Sequence, residues 1–297
     1  MIAAGLVAVV FAAGAATVVL SRPERARHAA PAPSAGAPGA GAPTGAAALA
    51  SAAAARQQAA AWVASQANPD AIVACDPAMC AALQARGVPA GRLLVLTPAR
   101  SDPLGSDLVV ATAAVRSQFG ARLAGVYAPV TVAVFGSGAT RIDVRTVAPD
   151  GAAAYLAALA TDIRARKTAG ALMLRNSHIH VAATARAALA AGEVDPRLLV
   201  TLATLAHLQP LDITGFGGPG PGGSASAGAP LRSADITAAA AGSRHSASLQ
   251  ALMTILRAQR PPYSPSTLEI VRIPPIGNVL RIGYPVPSPL GLLGSGG

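Results

Sequence analysis

The chain has 297 residues, of which 52% are hydrophobic and only 3% aromatic, and a formal charge of +10. That length supports one large or two ordinary domains with real cores, and because Ala, Val and Leu carry the apolar content, those cores are made of small side chains. Nearly all the positive charge is arginine, scattered along the chain with Lys167 as the single lysine; no basic run interleaved with aromatics is present to follow a phosphate backbone and stack bases, which argues against nucleic acid as a partner.

Ile2 to Leu20 contain no charged residue and have the length at which a helix crosses a hydrocarbon core of about 30 Å. Residues 1–21 are therefore expected to form a transmembrane helix and to make the membrane itself a partner. Ala13-Gly14-Ala15 offers small residues of the kind a signal peptidase cleaves after, but no Lys or Arg precedes the apolar run, so an uncleaved anchor is the preferred reading. Residues 22–55 are rich in Ala, Pro, Gly, Ser and Thr and are expected to be a disordered linker that holds the body away from the bilayer. Direction is contested. Arg22, Arg25 and Arg27 flank the apolar run on its C-terminal side and favour a cytoplasmic body. The stalk and the cysteine pair favour an extracytoplasmic one.

That pair is Cys75 and Cys80 in the string CDPAMC, and the chain has no other cysteine. Two cysteines this close suit a small disulfide in an oxidising compartment. Two unrelated buried thiols, or a metal or redox site, are the alternatives.

The body is expected to be a mixed α/β unit of one large or two small domains, divided at 56–169 and 170–286. A helix is expected over Ser51–Ala67, with Trp62 and Val63 as its bulky contacts, followed by a strand at Ala71–Cys75. Asp76-Pro77 then caps a helix that ends near Arg86-Gly87. Strands at Leu93–Leu96 and Leu108–Ala111, with a helix from Ala113 to Leu123, give the spacing of parallel layering. VTVAVFG and ATRIDVRTV alternate as a β-hairpin around Gly136-Ser137-Gly138, and a helix follows over Ala152–Lys167. Beyond Gly170 come a short IHV strand, helices at Thr184–Ala191 and Pro196–His207, and a strand at Leu211–Phe216. The Gly/Pro/Ser loop Gly217–Pro230 is next, disordered or the lip of a site. A helix at Ser246–Arg260 and strands at Leu268–Ile273 and Asn278–Tyr284 complete the body, and 287–297 are expected to be a flexible tail.

The chain contains no G-x-S-x-G, H-E-x-x-H or G-K-[ST], so the commonest serine hydrolase, zinc protease and nucleoside triphosphatase signatures are missing. Gly136-Ser137-Gly138 lies between two strands, a turn rather than a phosphate loop. His178 and His180 share one face of a strand, but no cysteine or carboxylate nearby in sequence supplies a third ligand, so they read as the polar face of an edge strand. The sequence thus nominates no catalytic, cofactor or metal residue.

DPRLLVTLATLAHLQPLDITGF (Asp195–Phe216), the glycine-rich loop and LRSADI (Leu231–Ile236) resemble the helix, strand and G-R-A-x-D-I order of zinc D-Ala-D-Ala carboxypeptidase-like domains of peptidoglycan enzymes. In that family a histidine seven residues before the aspartate binds zinc with it, and a later histidine completes the set. Here Asp235 matches the aspartate, Gly228 stands at the histidine position, Leu231 replaces the glycine, and no histidine follows His245. The resemblance therefore implies a non-catalytic descendant. The chain also resembles uncharacterised membrane-anchored proteins of actinobacteria in its CDPAMC, VVATAAVR (Val109–Arg116) and LRSADI segments, which implies placement at the cell envelope and no particular reaction. Together these features predict a single-pass membrane protein with an extracytoplasmic body that acts by binding or assembly, on cell-wall polymer or an envelope protein. An envelope glycan hydrolase or transferase using Asp143, Asp212 or Asp235 is the alternative of another class. A cytoplasm-facing regulatory module is the reading if the arginine flank sets topology.

Overall fold

A computed structural model describes residues 45–99, 102–218, 220, 222, 228–238 and 243–294, with the side chains of 243–245 excepted. The expected transmembrane segment lies outside the described residues, among which no helix is long and apolar enough to cross a membrane. The body is a mixed α/β structure with two five-stranded sheets.

Helix α1 spans Gly45–Gln66, starting six residues earlier than expected, so residues 45–55, read as linker from their composition, are helical. Composition misleads at this point. GAAALASAAAA reads as low complexity, yet it contains no proline, and alanine is the strongest helix former. Ala55, Ala59, Trp62 and Val63 are buried, at the helical spacing that faces a core.

The first sheet has the order β2-β1-β3-β5-β4, from β1 Val73–Cys75, β2 Leu93–Val95, β3 Leu108–Ala111, β4 Val130–Phe135 and β5 Ile142–Thr146. β1 pairs in parallel with both β2 and β3, while β5 runs antiparallel to β3 and β4. Both faces are covered, so side chains alternate between two cores. Val73, Cys75 and Val110 face α1 and helix α2 (Pro77–Gln84), whereas Ala74, Val109 and Ala111 face helix α3 (Ala113–Phe119) and one π-helical turn at Leu123–Tyr127. Asp76 caps α2 as expected, its carboxylate accepting the Met79 N–H at 3.0 Å and also the Thr112 hydroxyl that caps α3. Cys75 and Cys80 form a disulfide that ties the end of β1 to α2.

The second sheet has the order β6-β7-β8-β10-β9, from β6 Ile179–Val181, β7 Leu211–Gly217, β8 Ser233–Ala238, β9 Thr267–Ile273 and β10 Gly277–Gly283. β6 and β7 are parallel, and the other pairs are antiparallel. Helices α4 (Ala152–Arg175), α5 (Ala183–Ala191), α6 (Pro196–Leu208) and α7 (Ser243–Arg257) contribute to the core over one face. Leu198, Leu202 and Leu205 on α6 meet Ile213, Ile236 and Leu280 there, and full burial of each such side chain contributes about 1.5–3 kcal/mol. β8, the central strand, is not among the strands read from the sequence. Of its six residues SADITA only Ile236 and Thr237 are strand formers, too short a run to stand out, and the position is set by neighbours on both sides.

The expected division at 169/170 falls inside α4, which runs unbroken to Arg175 and packs on α5 and α6. Gly170 makes that packing close, because a Cβ there would lie 2.4 Å from the Leu189 carbonyl oxygen of α5. Gly192 ends α5 in the left-handed conformation with φ +70°. Gly170→Ala is expected to lower stability by about 1–3 kcal/mol despite the better helix former, read as a lower urea midpoint with an unchanged m-value.

Candidate functional site

A cleft of about 350 Å³ lies among α1, the first sheet, α4, the residues just before β8 and the C-terminal segment. Trp62 and Gln66 from the last turns of α1, Leu108 and Val132 from the first sheet, and Tyr155, Leu159, Asp162 and Arg166 from α4 form three walls. The fourth is made by Gly228–Pro230 and Arg232, just before β8, and by Val286–Leu290 beyond β10. Of the loop Gly217–Pro230, expected to be disordered or the lip of a site, Gly228, Ala229 and Pro230 line this cleft. Earlier in the loop, Gly222 O accepts the Val134 N–H at 3.0 Å, on strand β4 of the other sheet.

The walls are mainly apolar, but the groups that position them are buried charges. Arg166 and Asp162, one helical turn apart on α4, pair at 2.8 Å and are 1% and 4% exposed. Asp195 caps α6 by accepting the Arg197 N–H at 2.9 Å, and both its oxygens meet the Arg197 guanidinium, at 2.9 and 2.8 Å. Arg197 also stacks on Tyr284, 4.5 Å from the ring centroid. Arg232 lies between α1 and the C-terminal segment. Its guanidinium donates to Gln66 Oε1 at 2.6 Å, to the Gln66 carbonyl at 3.3 Å and to the Pro285 carbonyl. Burial depresses its pKa to about 10, with the charge of Asp195 acting in the opposite direction.

These same groups hold the chain after β10. Arg232 takes Pro285 O, Arg197 takes Val286 O, Asp195 accepts the Ser288 N–H at 3.1 Å, and Asp162 accepts the Gly291 N–H at 3.0 Å. Within the segment expected as a flexible tail from residue 287, Ser288 and Gly291 are thus hydrogen-bonded to buried carboxylates. Proline and glycine content signals an end without ladder partners, and here buried side chains replace the ladder.

Apart from Trp62 and the C-terminal end of the glycine-rich segment, the residues singled out from the sequence lie elsewhere. Cys75 and Cys80 are buried as the disulfide in the first sheet. Asp143, on β5, is paired with Arg141 at 2.7 Å. Asp212 and Asp235 are on β7 and β8, facing away from the helices. Asp212 accepts from the Thr237 hydroxyl at 3.3 Å, and Asp235 pairs with both Nε and Nη2 of Arg281 at 2.8 and 2.9 Å. Asp235, the position matching a zinc ligand in the carboxypeptidase-like domains, is thus held by an arginine. His180 and Asp212 border a shallow depression on that face with Ile276, while His178 Nδ1 lies 3.2 Å from the Ala206 carbonyl. Among the described residues no three His, Cys, Asp or Glu converge as metal ligands would.

No motif marks the cleft in sequence. Asp195-Pro196 is legible as a helix cap and Asp162-Arg166 as a helical i,i+4 pair, but their burial comes only from the tertiary structure. Asp195→Ala removes the α6 cap, the partner of Arg197 and the acceptor for Ser288. It is expected to cost about 3–5 kcal/mol and to open 285–291 to protease, measured by urea unfolding and by mass spectrometry of a limited digest. Burial also raises the phenols of Tyr155 and Tyr284 above their ordinary value near 10. The stability linked to them is full below pH 10 and is lost as pH rises through the raised values; a phenolate absorbance titration of the folded chain, with Tyr155→Phe and Tyr284→Phe for assignment, should place both ionisations above pH 10. No protein-family model, curated protein or solved structure matches this chain.

Proposed function

We propose that the protein is a membrane-anchored, extracytoplasmic binding or assembly component of the cell envelope, and that its body receives a partner at the cleft. The observation that carries this reading is the cleft itself: an apolar-walled recess, with buried polar groups fixed by ion pairs, lined by α1, the first sheet, α4 and the segments flanking β8 and β10. Sites that bind by burial combine an apolar lining with a few fixed polar groups in this way. The Cys75–Cys80 disulfide supports an oxidising compartment, and the apolar run Ile2–Leu20 supports attachment to a bilayer. The likeness of the CDPAMC, VVATAAVR and LRSADI segments to actinobacterial membrane-anchored proteins supports the envelope.

Two measurements test the reading. Cysteine labelling of intact cells is expected to require reductant and not permeabilisation; labelling only after permeabilisation, without reductant, overturns the extracytoplasmic placement. The full chain is expected to be recovered with cell-wall material well above a control carrying residues 1–44 alone. Equal recovery of the two overturns binding of wall polymer by the body.

A further inference from the structure

Six charged side chains are buried among the described residues: Asp143, Asp162, Arg166, Asp195, Arg197 and Arg232. Five of them meet an opposite charge, through Arg141–Asp143, Arg166–Asp162 and Arg197–Asp195. Arg232, only 3% exposed, makes no ion pair among the described residues and contacts three neutral oxygens instead. A buried cation with no direct ion pair, offset only by the charge of Asp195 acting without contact, is a costly arrangement. Around the cleft and the C-terminal segment the buried groups comprise three guanidiniums and two carboxylates, so one positive charge is left over, and it belongs to a residue that lines the cleft. Asp107, the other carboxylate on the lining, is exposed at the rim and accepts the Ile72 N–H at 2.8 Å. A guanidinium carries five N–H donors, more than the three contacts of Arg232 consume.

We infer that the cleft binds a singly headed anionic amphiphile, with its carboxylate or phosphate on Arg232 and its apolar body along Trp62, Leu108, Val132 and Leu159. The inference names the ligand class of the site proposed above and rests on that reading. The head supplies the direct ion-pair partner that Arg232 lacks, in a setting where a charge-assisted hydrogen bond is stronger than in water. The apolar walls take up the remainder of the molecule. A volume of about 350 Å³ lies at the small end of ligand pockets, suited to a short acyl or alkyl chain.

Trp62 is the only tryptophan in the chain and lines the cleft, so its fluorescence reports occupancy directly. The solubilised full chain is titrated with octanoate, octyl phosphate, octan-1-ol and octyltrimethylammonium. Both anions are expected to give a saturable change at least about tenfold tighter than the alcohol or the ammonium, the fold-change of one hydrogen bond to a charged group. The stronger of the two anions distinguishes a fatty carboxylate from a phosphate-headed lipid. Arg232→Met is expected to abolish the preference. Arg232→Lys, which keeps the charge and loses the fork, is expected to retain the preference at reduced affinity and covers the case in which the methionine variant fails to fold. In the unmodified chain the anion affinity is expected to fall as pH rises past about 10, where Arg232 begins to lose its proton, while that of octanol is unchanged. Equal affinity for octanol and the anions overturns the anionic assignment and leaves the cleft a binding site. Absence of any saturable response to all four overturns both readings.

Discussion

The burial of Arg232 is the contact on which the arrangement of the cleft depends. One guanidinium reaches the last residue of α1 through both the side chain and the carbonyl of Gln66, and reaches the C-terminal segment through Pro285. The end of a helix presents unpaired carbonyls with a partial negative charge, and a buried arginine is a fitting partner for them. The same side chain therefore completes a helix of the first half of the chain and anchors a strandless segment of the second. Its neighbours continue the pattern. Asp195 serves at once as a helix cap, an ion-pair partner and an acceptor for the tail, and Asp162 joins α4 to Gly291. Buried carboxylates and guanidiniums here take the place of a β-ladder for residues that have none.

Small side chains make this arrangement possible. A chain with so few aromatics brings its elements close: α4 meets α5 where Gly170 lies against the Leu189 carbonyl, and the close approach places Arg166 Nη1 on the Gly192 carbonyl. The two sheets solve the burial problem differently. The first, with Val, Ala and Cys alternating toward cores on both faces, is a three-layer structure. The second buries one face beneath helices, and on the other it carries Asp212, Asp235, Thr237 and Arg281 in cross-strand pairs. Polar cross-strand pairs of this kind stabilise an open face without drawing it into a core.

Much of the body was legible in the sequence because its signals are local. The cap at Asp76-Pro77, the parallel run through β1, β2 and β3, the hairpin of β4 and β5 and the order of the later helices all follow from turn chemistry and periodicity over a few residues. What escaped depends on partners distant in the chain. β8 has a weak intrinsic preference for strand and exists because β7 and β10 flank it. The start of α1 at Gly45 was hidden by a composition that resembles a linker. The end of the chain looked unsupported because its supports, Arg197, Asp195 and Asp162, lie between roughly 90 and 130 residues away in sequence. The cleft was illegible for the same reason: its lining comes from α1, the first sheet, α4, the loop before β8 and the tail, and no window of sequence contains more than a fraction of it. The carboxylates that did attract attention, Asp143, Asp212 and Asp235, proved to be held in pairs away from it.

Helix α1 has a mechanical consequence. Its 22 residues make a rod of about 33 Å, which begins where the stretch rich in proline and glycine ends and finishes at Trp62 and Gln66 on the wall of the cleft. Because α1 also packs along α2, β4 and β5, a slide of the helix against those elements moves the Gln66–Arg232 contact and, with it, one wall of the pocket.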